Sequence, residues 1–243
     1  MRSLARNGGN AMRSLILLTC AVLIGVSAAG LAFAGPAIDW DPIYTWEPGA
    51  TPYNSPLGGV LQGVGTVSDF DIPFADLDAS DPTKEYTIYV YGLVSQGTTV
   101  SGGGPFTLYT TNYTGGQIEV YEDLSPDASY DPFPPNAGVP GDFTDGTLIL
   151  SGQFTSFTTQ TNNFTQYNTG NMEGGINWTG GTLYTRTFNA NGRPCPGLFT
   201  GGITWYPPVL IPGYIFRHDG KIDLNCPTPT VNGTWGQLKG TYR

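Results

Sequence analysis

Outside its first 34 residues, this chain contains no segment in which apolar residues recur at helical spacing. It is rich instead in β-branched and aromatic residues, and the full chain has 35 Gly and 20 Pro. Residues 86–91 form the clearest strand, and residues 117–122 alternate with Ile118 and Val120 on one face. We therefore predict an all-β domain of about ten antiparallel strands, built as a β-sandwich or jelly roll or as a closed β-barrel.

Three segments carry more specific predictions. Residues 35–57 are rich in Pro, Tyr and Trp without periodicity, so we predict an irregular N-terminal arm packed on the domain. The pair Gly180-Gly181 predicts a two-residue hairpin between strands at 172–179 and 182–188. A last strand is predicted at residues 234–242. Residues 35–243 are thus interpreted as a single all-β domain.

The first 34 residues have the anatomy of a secretory signal peptide. Arg2, Arg6 and Arg13 precede or flank an apolar run at 15–24, and residues 32–34 read Ala-Phe-Ala. A basic start, a short apolar core and small residues at the end predict cleavage after Ala34. The mature chain would then be secreted or displayed on the cell surface, with the periplasm as a further location. An uncleaved membrane anchor and lipidation at Cys20 are the alternatives.

The charge of residues 35–243 excludes one class of partner. Three of the chain's 10 basic residues and none of its 19 acidic residues lie in the first 34 positions, which leaves a formal charge of −12 after cleavage. Such a surface repels nucleic-acid phosphates, and it also disfavours docking on anionic lipid. We expect neither nucleic acid nor membrane as a partner of the mature chain.

Two cysteines remain after cleavage, Cys195 and Cys226. In an oxidising compartment an isolated pair most simply forms one disulfide, and two free buried thiols are the alternative. Without a nearby His the pair does not form a zinc site.

Residues 143–152, Phe-Thr-Asp-Gly-Thr-Leu-Ile-Leu-Ser-Gly, follow Tyr121-Glu122-Asp123 and a Pro-rich stretch. This arrangement resembles segments of uncharacterised exported bacterial β-rich proteins, some of which carry a C-terminal surface-sorting helix. The resemblance covers about a third of the chain and implies no activity.

The sequence offers little support for catalysis. His218 is the only histidine, and no Gly-x-Ser-x-Gly elbow is present for a hydrolase triad. Glycoside hydrolysis needs two facing carboxylates, whereas the acidic residues here fall mostly in predicted loops. Glu173 stands alone near Trp178. We therefore predict a non-enzymatic protein, with a glycosidase as the remaining enzymatic alternative.

An acidic loop is a speculative calcium site. Asp76, Asp78 and Asp81 place three carboxylates within six residues, and Ca²⁺ prefers oxygen ligands on flexible loops. The alternative is a solvated acidic loop that keeps the protein soluble. No other cofactor is predicted.

Three function hypotheses remain. The leading one is a secreted or cell-surface β domain of structural or interaction type, with a surface protein or extracellular polysaccharide as partner. The second is a carbohydrate-binding module that uses exposed aromatic rings. Its candidates are Trp178 beside the predicted hairpin, Tyr184 on the following predicted strand, and Trp205. The third is a lipocalin-like barrel around a small apolar ligand, which requires an enclosed apolar cavity.

Overall fold

The described part of the chain folds into a closed antiparallel barrel of eight strands. The structure, a computed structural model, describes residues 36–130, 138, 140–163, 168–206 and 209–226. The strands are β1 (Ile38–Trp46), β2 (Val60–Phe70), β3 (Glu85–Ser101), β4 (Leu108–Asp123), β5 (Thr147–Asn162), β6 (Thr169–Gly180), β7 (Gly197–Thr204) and β8 (Phe216–Leu224). Each strand pairs with the next in the chain, and β1 also pairs with β8. The prediction of an all-β antiparallel fold is confirmed, in its barrel form.

Strand β1 closes the barrel. Ile38 lies opposite Phe70 of β2 on one side and opposite Ile222 of β8 on the other. The prediction of an irregular arm at 35–57 is therefore wrong for residues 38–46. Pro42 interrupts β1 at a register shift, which hides the strand period in the sequence.

The described residues contain eight strands rather than the predicted ten or so. Part of the difference is that β3 and β4 are long strands, which pair with each other on either side of the Gly-rich turn after residue 101. Residues 182–188 form no strand of the barrel; they include a 3-10 turn at Tyr184–Thr187. The strand predicted at 234–242 and the signal peptide predicted at 1–34 lie outside the described residues.

Large rings fill one part of the lumen. We call the part occupied by Trp40, Phe154, Phe157 and Phe199 the aromatic half of the lumen. Trp40 stacks on Phe199 at 4.2 Å between ring centroids, and Phe154 and Phe157 pack around Phe199 at 5.7 and 5.8 Å.

Glycine on the adjacent, paired strands makes room for these rings. A Cβ at Gly174 would lie 2.8 Å from the Phe157 ring, and one at Gly220 would lie 2.8 Å from the Trp40 ring. Interiors at crystal-like density leave no slack for such an atom. The high glycine content therefore serves packing as well as turns.

The meander sorts the connections between two ends of the barrel. The β1–β2, β3–β4, β5–β6 and β7–β8 connections lie at one end, and the remaining connections lie at the other. At the second end the β2–β3 connection buries Phe74 against Phe70, and Cys195 forms a disulfide with Cys226. The predicted disulfide is confirmed, and it fits a protein that matures in an oxidising compartment.

Candidate functional site

The most unusual group in the described residues is Glu47, at the end of the barrel where β1 finishes. Glu47 follows β1 directly and is only 2% exposed. The Oγ of Ser55 donates a hydrogen bond to Oε1 of Glu47 at 2.5 Å, and the hydroxyl of Tyr113 donates to Oε2 at 3.1 Å. Both carboxylate oxygens therefore have donors, but both donors are neutral. We call the region around Glu47, Ser55 and Tyr113 the Glu47 end.

No cation balances this buried carboxylate among the described residues. None of the ion pairs there includes Glu47. Burial raises the pKa of Glu47, and the hydrogen bonds from Ser55 and Tyr113 oppose that rise. Burial also raises the pKa of Tyr113, and the charge of Glu47 adds to that effect. A carboxylate enclosed without a counter-charge is costly to a fold, which marks such positions as candidates for function.

Hydroxyl groups line the lumen next to Glu47. Ser55 shares a 2.6 Å hydrogen bond with Ser95, and Thr98 shares a 2.7 Å hydrogen bond with Thr111. Ser55, Thr98, Thr111 and Tyr113 line a cavity of about 10 Å³, which is room for about one water molecule. The other lining residues are Glu47, Ala50, Thr51, Pro52, Tyr53, Asn54, Tyr109, Thr159, Thr161, Ile215 and Phe216.

Residues 50–55 of the β1–β2 connection lie over this cavity. The backbone amide of Ser55 donates to Oγ1 of Thr98 at 2.8 Å, and Oγ1 of Thr161 donates to the carbonyl of Pro52 at 2.6 Å. Thr51 and Asn54 bond to each other through their backbones, so the segment is a tight turn. A few side-chain hydrogen bonds therefore hold the 50–55 segment to the barrel, rather than a β-ladder.

Aromatic rings stand beside the same cavity. The ring of Tyr53, in the 50–55 segment, lies 5.0 Å from the ring of Tyr109 and 5.7 Å from that of Trp205. The planes of Tyr53 and Trp205 are nearly perpendicular, at 89°. Trp205 also packs against Phe216, at 5.9 Å between centroids. The Glu47 end thus combines a buried negative charge, hydroxyl donors and aromatic rings.

His218 lies beside Thr45, two residues before Glu47, but it is not arranged as a catalytic base. It is fully buried, and its Nε2 lies 2.8 Å from Oγ1 of Thr45. Its Nδ1 has no hydrogen-bond partner in the described residues. Burial, with a smaller effect of the Arg217 charge, lowers the pKa of His218 to about 3. This histidine is therefore neutral at physiological pH.

The three predicted ligand-binding residues are not brought together. Trp178 and Trp205 lie at opposite ends of the barrel, because Trp205 bonds to Asn168 just before β6 and Trp178 lies near the far end of β6. Ten residues of strand separate them, roughly 30 Å. Tyr184 is half-buried and packs against Phe188 at 4.9 Å, away from Trp205.

The expectation of an exposed Trp178 ring is wrong. Trp178 is 5% exposed and its ring packs inside the barrel beside Gly197. Trp205 and Trp40 are buried as well. Period-two alternation places Trp40 on the lumen face of β1 and Trp178 on the lumen face of β6. Buried tryptophans count against sugar stacking on these rings.

The acidic loop does not gather its predicted calcium ligands. Asp76 pairs with Arg186, Asp78 accepts hydrogen bonds from Ser80, and Asp81 accepts them from Thr83. These contacts lower the pKa of all three carboxyl groups. In that loop, therefore, the carboxylates stabilise local turns and an ion pair.

A different acidic trio does lie close together in the described part of the chain. Carboxylate oxygens of Glu85, Asp123 and Asp127 are all within 4.8 Å of one another. Oxygen ligands of this kind suit Ca²⁺, but a calcium site takes six to eight of them. Oε1 of Glu85 already accepts hydrogen bonds from the backbone amides of Asp127 and Ala128. The trio thus closes the start of the β4–β5 connection.

Glu173 stands on the outer wall. It lies in a shallow groove with Ser156, Thr158, Gln160 and Asn171, whereas Trp178 faces the lumen. No second carboxylate lines that groove or the cavity at Glu47.

Sequence reasoning missed Glu47 because it stands between Trp46 and Pro48, in a stretch without recognisable periodicity. The one available signal was that Glu47 continues the alternation of Ile43 and Thr45, which places it on the lumen face of β1.

Comparison with known proteins finds no matching family model, no matching curated protein and no matching solved structure. Within the described ranges, no helix has the length and apolarity needed to cross a membrane.

Proposed function

We propose that this protein is a non-enzymatic, extracellular β-barrel of interaction type that binds its ligand at the Glu47 end. The observation that carries the proposal is the Glu47 carboxylate, which is 2% exposed and lacks a cationic partner in the described residues. A group that costs stability and serves no ion pair is explained by a ligand that it recognises.

The arrangement of the titratable groups supports a binding role over a catalytic one. His218 is fully enclosed, and its Nδ1 has no hydrogen-bond partner in the described residues, so no acid orients it. Glu47 is the only acidic residue that lines its cavity, whereas glycoside hydrolysis uses two. The interior also disfavours the lipocalin-like alternative, because the rings of the aromatic half fill the space that an apolar ligand would occupy.

The binding role is tested by thermal shift on the protein as its producing cells release it, with its disulfide formed. The probes are a glycan panel and neutral, anionic and cationic small molecules, applied in parallel to wild type, Glu47→Gln and Glu173→Gln. We expect at least one probe class to raise the Tm saturably in wild type and in Glu173→Gln, but not in Glu47→Gln. Equal responses in all three proteins, or no response to any probe, would overturn the proposal.

The proposed location follows from the buried Cys195 and its disulfide with Cys226, which an oxidising compartment maintains. Mass spectrometry of the protein from fractionated producing cells tests it. We expect a chain that begins at Gly35, outside the cytoplasm. A chain found in the cytoplasm with reduced cysteines would contradict an exported function.

A further inference from the structure

We propose that the ligand of the Glu47 end is an organic cation, an ammonium group on a short apolar body, and that Tyr53 occupies its place in the unliganded protein. This inference rests on the function proposed above and adds the chemical class of the ligand.

The cavity of about 10 Å³ holds no organic ligand while the 50–55 segment covers it. A few side-chain hydrogen bonds hold the segment: Ser55 bonds to Glu47, Ser95 and Thr98, and the carbonyl of Pro52 accepts one from Thr161. Its Thr51 and Asn54 are exposed. Such a loop is the kind of element that opens at modest cost. Lifting it removes Tyr53 and leaves Glu47 and the two remaining rings in place.

The ring of Tyr53 contacts Tyr109 and Trp205, and the contact with Trp205 is T-shaped. Moving Tyr53 therefore leaves a space bounded by two aromatic rings. A cation is attracted to the faces of aromatic rings, and rings around an ammonium group are a recurrent binding geometry. Tyr109 and Trp205 are thus suited to hold a cation once Tyr53 has moved.

The charge of the site also favours a cation. Glu47 supplies a negative charge to the cavity that Tyr109 also lines, and no Lys or Arg lines that cavity. Its present partners, Ser55 and Tyr113, are neutral. Ser55 belongs to the same segment as Tyr53, so opening the segment also frees one oxygen of the carboxylate. The acidic balance of the chain, with 19 Asp and Glu against 10 Lys and Arg, favours the approach of cations over anions.

The test compares choline with 3,3-dimethylbutan-1-ol, which has the same shape without the charge. Binding to the full-length exported protein is followed by calorimetry and by tryptophan emission. We expect saturable binding of choline and about tenfold or more weaker binding of the neutral isostere. Glu47→Gln should weaken choline binding by about the same factor, and the exposed control Glu173→Gln should leave it within about twofold.

A second variant keeps the proposal falsifiable if Glu47→Gln fails to fold. Tyr53→Ala removes the ring that occupies the site, so it should strengthen choline binding by about threefold or more. Weaker binding in Tyr53→Ala, or equal binding of choline and its isostere, would overturn the inference.

The outcomes separate this inference from the proposed function. If a neutral or anionic probe binds in a Glu47-dependent manner and choline does not, the binding role stands and the cation class is wrong. If no probe binds at all, both proposals fall.

Discussion

The aromatic half and the Glu47 end share one lumen but follow different rules. In the aromatic half, Trp40 and Phe199 stack at 4.2 Å, and glycines on the adjacent strands leave room for the rings. At the Glu47 end, a carboxylate and hydroxyl groups joined by hydrogen bonds stand beside the rings of Tyr53 and Tyr109. The first region contributes stability through burial, whereas the second retains a charge that burial penalises. Where a barrel keeps such a charge, we expect function.

Phe199→Ala is the substitution with the largest expected effect. Phe199 is 1% exposed and contacts three other rings of the aromatic half. Its removal leaves a large cavity, so we expect the free energy of unfolding to fall by about 3–5 kcal/mol. Urea denaturation measures it. Thr200→Ala, at the next position on β7, is the control and should change stability by about 0.5 kcal/mol or less. A loss below about 1 kcal/mol for Phe199→Ala would refute the packing argument.

Reducing the disulfide is the next largest change. Cys195 and Cys226 are 31 residues apart, and their bond ties the segment before β7 to the segment after β8. Chain-entropy reasoning predicts a loss of about 2–4 kcal/mol on its removal. Denaturation with and without reductant, repeated on a Cys195→Ser/Cys226→Ser variant, measures the effect. Reductant should leave the variant unchanged, and an effect of reductant on the variant would show that another process is measured.

The pH dependence of stability reports on His218, which bonds to Thr45, two residues before Glu47. His218 has a folded pKa of about 3, below its ordinary value near 6.5, so the unfolded chain binds a proton that the folded protein excludes. Its contribution to stability is complete above about pH 6.5 and is lost as the pH falls toward 3. We expect the urea midpoint to decrease from pH 6.5 to 5, where ordinary carboxyl groups stay ionised. His218→Gln should flatten that interval, and an unchanged slope in the variant would contradict this assignment.

Glu47→Gln should give the smallest change, with the opposite sign to Phe199→Ala. Because burial raises the folded pKa of Glu47, the contribution of this group to stability is complete below the ordinary pKa of Glu and is lost as the pH rises through the folded value. The amide keeps the shape and removes the charge, so at pH 7 we expect stability to be equal or up to about 1 kcal/mol higher. A loss of 2 kcal/mol or more would make Glu47 a structural residue rather than a site.

Part of this architecture could be predicted because it is written locally. Alternation at 117–122 and the β-branched run at 86–91 predicted strands that became parts of β4 and β3. The pairing of Cys195 with Cys226 was the simplest expectation for the two cysteines of residues 35–243, and the structure confirms it. The segment at 182–188 was misread because its apolar residues pack as a cap, with Tyr184 against Phe188, rather than in a ladder.

The candidate site could not be predicted in the same way, because its members come from four separate segments. Glu47, Ser55, Thr98, Tyr113 and Trp205 are brought together only by the register of the closed barrel. Trp205 was singled out from the sequence, but with Trp178, which faces the lumen at the opposite end.

The sequence by itself determined the all-β class, because strand alternation and residue composition are local properties of a chain. It made a disulfide between Cys195 and Cys226 the simplest expectation, with two free thiols as the alternative, and the structure contains the disulfide. Tertiary structure alone decided that the sheet closes, since Ile38 must meet Ile222 across nearly the whole domain. Closure also decided which alternating face becomes a lumen and where its charge is buried. The cost of an unpaired carboxylate depends on that enclosure, and so the candidate function of Glu47 exists only in the folded barrel.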